Sequence, residues 1–318
     1  MSINKTPSRP NNYVRHFRAF ANARSAFKVF LQAVSLKPEE IVLLPAYIGW
    51  SPNEGSGVLD PVSELNLKHA FYKMDSRLCI DVDDLERLLK TLPVRVLVVI
   101  HYFGYVDPSY DEVMSIARRY GVVVLEDEAH AMFTDLIGGC SGRLGDACIF
   151  SLHKMLPVND GGMLVVNDDY RGILDSVDHL DSVKFKCKLP WQFDLERIAN
   201  ARVENAHRLQ KLLEPLSGEI DLLRNDLPCG NVPQTYPIII RNVSRDELYF
   251  EMNNAGFGVV SLYHTLVDSI HKHEFTESHR LSHVMLNLPV HQDVCPQDLY
   301  DMVNKLNEAI KASSIRVE

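Results

Sequence analysis

Short apolar runs that end in polar residues recur along the first half of the chain. They are rich in valine, isoleucine and leucine and lack a polar face, which is typical of strands covered on both sides in a parallel sheet. The predicted strands are Ile41–Leu44, Ala70–Tyr72, Val94–Ile100, Val122–Leu125, Ala147–Phe150 and Met163–Val166.

Apolar residues between these runs recur with helical spacing. Phe27, Phe30, Leu31 and Val34 share one face of a helix that we expect to end near Leu36. Two more helices are predicted, over Val82–Leu92 and from a capping box, Ser109 to Glu112, to Gly121. Strand, helix and strand in this order, with connections of this length, predict right-handed crossovers and a mostly parallel sheet.

The pattern changes after Asp168, where residues 169–194 are polar and irregular. A long helical pattern follows, and then a second set of elements. The predicted elements are helices over Asp194–Leu216, Arg245–Ala255 and from Pro296, and strands over Tyr236–Arg241 and Val284–Leu288. We therefore predict an α/β fold in two domains. Residues 1–193 form a large α/β domain with a central sheet flanked by helices and an N-terminal arm; residues 194–318 form a linking helix and a small α+β domain.

Composition narrows the class of protein. The chain has 318 residues, 46% hydrophobic and 24% charged, with a net charge of −9. These values are ordinary for a soluble globular protein and argue against nucleic acid as a partner. No apolar run is long enough to span a bilayer, and the N-terminus lacks the apolar stretch of a signal peptide. Six cysteines without metal-ligand spacing predict reduced thiols in the cytoplasm and no metal site.

Polar side chains gather at the ends of two neighbouring predicted strands. Asp127 and His130 follow one of them, and Ser151 and Lys154 follow the next. Ligands bind at the carboxyl ends of strands in such folds, and a lysine partly withdrawn from water can attack a carbonyl group. The commonest use of such a lysine is a Schiff base with pyridoxal phosphate. Each residue alone has an ordinary alternative: a solvated loop lysine, a turn-capping aspartate or a structural histidine.

That cofactor makes further demands on the chain. Its phosphate needs donors, for which the start of the first helix, with Arg24 and Ser25, and the hydroxyl of Ser151 are candidates. Its ring needs an apolar or aromatic cover, for which Trp50 and Ala129 are candidates. Arg24 can also be a solvated arginine at an ordinary capped helix, and Trp50 can fill a gap between helices.

Three consecutive segments resemble the DegT/DnrJ/StrS-type aminotransferases, which are fold-type-I pyridoxal-phosphate enzymes. They are LEDEAHA at 125–131, GRLGDACIFSLHK at 142–154 and NDGGMLVVND at 159–168. The segments at 23–26, 101–104, 258–264 and 284–294 resemble further parts of that family, so that the resemblance runs from about residue 20 to 310. Many members aminate nucleotide-linked keto sugars.

The resemblance implies a role for each candidate. Lys154 is the Schiff-base lysine and moves the proton, Asp127 pairs with the pyridinium nitrogen, Ser151 binds the phosphate and His130 lies beside the cofactor hydroxyl. Trp50 is offset by one position from the family's ring-stacking aromatic residue.

The chain also departs from the family pattern. Lys154 lies three positions after Ser151, whereas the lysine of the family commonly lies five positions after its serine. Glu128 replaces a small residue, which predicts an added charge near the ring. The family's Gly-x-Asn-x-Arg segment, which reaches into the partner subunit, is replaced by residues 169–194.

We therefore expect a homodimeric pyridoxal-phosphate aminotransferase with its sites at the subunit interface. The amino donor is an amino acid, for example glutamate, and the acceptor is a keto sugar, nucleotide-linked or free, or a similar carbonyl compound. Two alternatives stay open: a pyridoxal-phosphate enzyme of the sugar-dehydratase type, and a non-catalytic relative that acts as a scaffold or sensor.

Overall fold

Two sheets organise the molecule. The structure, a computed structural model, describes residues 15–167 and 188–317. The strands of the large sheet are β1 His16–Phe20, β2 Ile41–Pro45, β3 Lys68–Tyr72, β4 Val94–Ile100, β5 Val123–Asp127, β6 Ala147–Ser151 and β7 Gly162–Val166. Those of the small sheet are β8 Ile220–Leu222, β9 Thr235–Ile240 and β10 Met285–Pro289.

Helices cover the sheets and connect their strands. They are α1 Ala23–Val34, α2 Leu59–Glu64, α3 Val82–Thr91, α4 Tyr110–Tyr120, α5 Leu195–Leu213, α6 Arg245–Asn254, α7 Thr276–Val284 and α8 Pro296–Val317. Every helix and strand predicted from the sequence is present, with ends that differ by a few residues at most. The predicted N-terminal arm lies outside the described residues.

The order of strands in the large sheet is β1-β7-β6-β5-β4-β2-β3. The five strands from β3 to β6 are parallel, which confirms the predicted α/β fold class with its mostly parallel sheet. The last two strands, β7 and β1, are antiparallel to their neighbours. The sequence analysis missed β1, because HFRAF is only partly buried at the edge of the sheet and lacks a continuous apolar run.

The helix α5 contributes to two of the three hydrophobic clusters of the described residues. Its first half adds Leu195 and Ile198 to the cluster that contains Phe150 of the large sheet. Its second half packs Leu209 and Leu213 into the core of the small sheet. The helix therefore packs against both sheets, while its predicted role as a link between two domains and the boundary at 193/194 stay predictions.

The predicted capping box at the start of α4 is wrong. Ser109 is the N-cap residue, but its side chain makes no capping hydrogen bond. Its φ and ψ of −93° and 14° are not the extended values that aim a cap hydroxyl at the helix, and its N–H donates to a carboxylate oxygen of Asp107 at 2.8 Å. The predicted end of the helix is confirmed: Gly121 has a φ of 65° and its N–H donates to the carbonyls of Ala117 and Arg118.

Within the described ranges, no helix combines the length and the apolar character needed to cross a bilayer.

Gly162, the first residue of β7, brings this strand into contact with the start of α1. A Cβ at this position would overlap the backbone of Asn22 and Ala23. We expect Gly162→Ala to lower the free energy of unfolding by about 1–3 kcal/mol, because the strand and the helix must move apart. Gly218→Ala is the matched control, since its added Cβ meets no atom within 4 Å. Urea unfolding measures both variants; equal stabilities would contradict this packing argument.

Candidate active site

Two adjacent parallel strands bring the predicted acid and lysine to one edge of the large sheet. In the β5–β6 register, Asp127 lies opposite Ile149. Ser151 ends β6 and is followed by a single 3₁₀ turn, Leu152–Lys154. The turn returns the lysine over the ends of the strands, where its amine and the carboxylate of Asp127 interact electrostatically.

His130 contacts this lysine. Its Nε2 lies 3.3 Å from Nζ of Lys154. The N–H of Phe103 donates to Nδ1 of the same imidazole at 3.3 Å, and the Phe103 ring stacks on it with centroids 5.8 Å apart and an angle of 11°. Because Nδ1 accepts a hydrogen bond, we infer the neutral tautomer with its proton on Nε2. That proton points at a lysine that must be an uncharged amine to accept it.

Phe103 adopts an uncommon backbone conformation to make these contacts. Its φ of 58° lies in the left-handed region, which a bulky residue seldom occupies. The conformation places its N–H and its ring on His130 together.

The electrostatics of the site favour the free amine. Burial lowers the pKa of Lys154, and the carboxylate of Asp127 opposes this shift. Lys154 is an exposed residue, but the protein around its amine is dense enough to lower the pKa of that group. Burial raises the pKa of Asp127, which Lys154 in turn lowers, and burial holds the pKa of His130 well below its usual range. A lysine with lowered proton affinity is a competent nucleophile toward carbonyl carbon.

The predicted phosphate donors lie at the same edge of the sheet. Ser151 pairs with Gly162, which packs against the start of α1. Ser25 donates its hydroxyl to the cap side chain of Asn22 at 3.0 Å. Arg24 does not point freely into the site: it contacts the backbone carbonyl of Glu54 and lies 3.4 Å from a carboxylate oxygen of Asp60. The roles of Arg24 and Ser25 as phosphate ligands stay predictions.

Trp50 lies in the loop after β2 with 46% of its surface exposed. The backbone N–H of Trp50 donates to the carbonyl of Thr265 at 3.0 Å, which fixes the backbone of the loop. Its role as a cover for the ring also stays a prediction.

The sequence analysis missed two residues beside the site. Tyr263 places its ring 6.0 Å from the ring of His130, and burial together with the carboxylate of Asp127 raises the pKa of its phenol. The carboxylate of Glu54 lies near enough to raise the pKa of Lys154 slightly. The only available signal for Tyr263 was its place in the segment 258–264, and a loop glutamate such as Glu54 gave none.

A buried hydrogen-bonded network lies behind Asp127. Glu126 accepts four hydrogen bonds of 2.7–2.8 Å. The donors are the His101 ring, the Tyr110 hydroxyl and the N–H groups of Gly142 and Gly145. His101, Glu126 and Glu128 bring ligand atoms within 4.8 Å of one another. Because Glu126 already accepts four hydrogen bonds, three of them at Oε2, the cluster is better described as a hydrogen-bonded network than as a metal centre.

The prediction that Glu128 adds a charge near the ring is corrected. Its carboxyl is fully buried, accepts the Ser141 hydroxyl at 3.0 Å and lies 3.5 Å from the His101 ring. Side chains alternate along a strand, so Glu126 and Glu128 face this network while Asp127 faces Lys154. Burial and the neighbouring carboxylates of Asp135 and Glu126 raise the pKa of Glu128 well above its usual range.

We expect Glu128→Gln to stabilise the protein more at pH 8 than at pH 5. A carboxyl whose pKa is raised by folding loses its proton first in the unfolded chain, so stability falls as the pH rises from the usual carboxyl range toward the folded pKa. The glutamine cannot ionise, and its advantage at pH 8 should reach about 1–2 kcal/mol. Urea unfolding at both pH values measures it, with Glu112→Gln on the exposed side of α4 as control. A Glu128→Gln variant whose stability difference from the parent is the same at both pH values would contradict the raised pKa.

The lowered pKa of Lys154 predicts selective labelling. At pH 7–8 its amine should react with a small acylating reagent faster than the exposed Lys90, because more of it is unprotonated. In Asp127→Asn the labelling profile should move to lower pH, since the carboxylate that favours the protonated amine is gone. Peptide mass spectrometry across a pH series measures both. An unchanged profile in the variant would show that the two groups do not interact, and a shift to higher pH would contradict the sign of the interaction.

Comparisons with known proteins are consistent with this geometry. The sequence profile of the DegT/DnrJ/EryC1/StrS aminotransferase family matches residues 12–172. A pleiotropic regulatory protein of Geobacillus stearothermophilus is 24% identical over 274 residues, which cover 78% of this chain and 70% of that protein. GDP-perosamine synthase of Caulobacter vibrioides is 29% identical over 160 residues, which cover 49% of this chain and 41% of the synthase.

The fold recurs in solved structures. The crystal structure of a DegT DnrJ EryC1 StrS aminotransferase from Brucella abortus matches 93% of this chain and 86% of its own, with a TM-score of 0.74 and 21% identity.

Proposed function

Because this chain belongs to the DegT/DnrJ/EryC1/StrS aminotransferase family, we propose that it is a pyridoxal-phosphate-dependent aminotransferase that aminates a keto sugar or a similar carbonyl compound. The observation that carries the proposal is the contact of Lys154 with His130 beside the buried carboxylate of Asp127. A lysine of lowered proton affinity, a buried acid and a neutral histidine donor form a set that fits this cofactor.

Pyridoxal phosphate, when bound, supplies an aldehyde that condenses with an amine and a ring that accepts an electron pair. Nζ of Lys154 would hold the cofactor. Once released, the same amine would take the proton from the α-carbon of the amino donor and return it to C4′ of the cofactor. The carboxylate of Asp127 would keep the ring nitrogen protonated. Nε2–H of His130, which faces the Lys154 amine in this structure, would donate to the cofactor hydroxyl.

The phosphate would lie at the start of α1 and beside Ser151. Backbone N–H groups at a helix start, together with a hydroxyl, form an anion site without further charge. Arg24 would join them only after leaving Asp60, with which it now pairs. Trp50 would cover one face of the ring.

The substrates are proposed by class. The similarity of half of the chain to GDP-perosamine synthase supports a nucleotide-linked sugar as acceptor. An amino acid, for example glutamate, would be the donor. We further propose a homodimer in the cytoplasm with sites at the subunit interface.

One finding favours a second candidate. A curated relative that is similar over 78% of this chain carries the name of a regulatory protein. A non-catalytic regulator on the same fold is therefore the alternative that the experiment must separate from an aminotransferase.

The test begins with an absorption spectrum of the protein incubated with pyridoxal phosphate. We expect a visible band that borohydride abolishes, with the added mass on the peptide that contains Lys154. Glutamate should then release 2-oxoglutarate, and Lys154→Ala should lower that rate by about 10²–10⁴-fold while Lys90→Ala leaves it unchanged. A cofactor that binds Lys154 without release of 2-oxoglutarate from any amino donor would favour a dehydratase-type reaction; a colourless protein would favour the regulator.

A further inference from the structure

Arg202 is a buried cation whose partners are carbonyl oxygens. Its surface is 3% exposed, and it lies in α5, the helix that contributes to two of the three hydrophobic clusters. Within residues 15–167 and 188–317, no carboxylate lies within ion-pair distance of its guanidinium. Burial lowers the pKa of Arg202, and the carboxylate of Asp293, which lies beyond ion-pair distance, opposes this shift only in part. Because the burial of a charge is costly, the contacts that hold the guanidinium there are specific ones.

One of these contacts reaches the turn that carries Lys154. Nη2 of Arg202 donates to the carbonyl of Met155 at 3.3 Å. Met155 follows the lysine directly and closes the 3₁₀ turn through its N–H, which donates to the carbonyl of Leu152 at 3.1 Å. The guanidinium therefore fixes the end of the turn from which the Lys154 side chain extends.

The other contacts of Arg202 reach the backbone that supports His130. Nη1 of Arg202 donates to the carbonyls of Pro233 and Gln234 at 3.3 and 3.0 Å. The N–H of Gln234 donates to the carbonyl of Phe103 at 2.7 Å. Phe103 in turn holds His130 through its N–H and its ring.

The guanidinium of Arg202 thus joins the backbone that supports Lys154 to the backbone that supports His130. The lysine rests on the turn that ends at Met155, and the histidine rests on Phe103 and the loop behind it. The ring of Phe133, 5.6 Å from the guanidinium carbon, packs against the cation and limits its movement. A neutral side chain of the same length would fill the space but would join neither support.

We propose that Arg202 is a positioning residue that holds the amine of Lys154 against His130. The contact itself does not depend on the proposed function, whereas its effect on catalysis rests on that function. Arg202 touches no reacting atom and acts only through the backbone of Met155 and of the loop 233–234.

The test compares Arg202→Met and Arg202→Lys with Arg208→Met, which removes an exposed arginine from the same helix. The first readout is the pH profile of Lys154 acylation in the cofactor-free protein. The charged or titratable groups that face this amine are Asp127, His130, Glu54 and, next to it in the chain, His153. Burial is the larger of the influences on Lys154, so an amine released into solvent should regain proton affinity.

We expect the profile of Arg202→Met to move to higher pH by about one unit. Arg202→Lys should move it less, because an ammonium group can reach one carbonyl but cannot span both supports. Arg208→Met should match the parent protein. The direction is opposite to that expected for Asp127→Asn, so loss of position and loss of the neighbouring charge are distinguishable.

A folded Arg202→Met protein with the parent profile would overturn the proposal. If that variant does not fold, Arg202→Lys decides alone: a shift to higher pH supports the proposal, and the parent profile refutes it. In the protein loaded with cofactor, kcat for the reaction with glutamate should fall by up to about 10²-fold in Arg202→Met. Failure of the parent protein to form the visible band would refute the proposed function but leave the labelling result intact.

Discussion

The withdrawal of one amine from water is the constraint on which the rest of the site depends. A lysine in water stays protonated at neutral pH and is therefore not a nucleophile. A lysine in an apolar core is an uncharged amine, but it cannot meet a ligand. Lys154 is in neither situation, because the residue is exposed to solvent while the surrounding protein lowers the pKa of its amine. Asp127 and His130 act on it in opposite senses: the carboxylate favours the charged form, whereas the neutral ring presents a proton to the uncharged one.

The parallel sheet makes this arrangement from residues that are distant in sequence. Asp127 and Ser151 end neighbouring strands, and a single turn beyond Ser151 is enough to bring the lysine back over them. Behind the strands, Glu126 gathers four donors around one buried carboxylate and so fixes the loops on both sides. The face that meets the ligand and the face that secures the sheet use alternate residues of the same strand.

The sequence was sufficient for what local patterns encode. The apolar runs identified the central strands, and the polar residues at their ends included Asp127, His130 and Lys154, which the structure brings together. The phosphate role of Ser151 stays a prediction. The sequence was insufficient where distant segments meet. Tyr263 lies beside His130, and Arg202 contacts the backbone that supports the site. Both come from the second half of the chain, and no spacing in the sequence predicts these contacts. Local rules also failed where a neighbour competed, as when Asp107 engaged the N–H of Ser109, and where strand alternation turned Glu128 away from the lysine.

The backbone of Phe103 is subject to two demands that conflict. A glycine would adopt its φ of 58° without cost, but a glycine has no ring to lay against the imidazole. The chain keeps the bulky residue and bears a local strain of about 1–3 kcal/mol, which the packing around it must offset. Stability and the orientation of His130 are thus opposed at Phe103. Substitutions that relax this backbone are expected to make the protein more stable and the imidazole less well fixed.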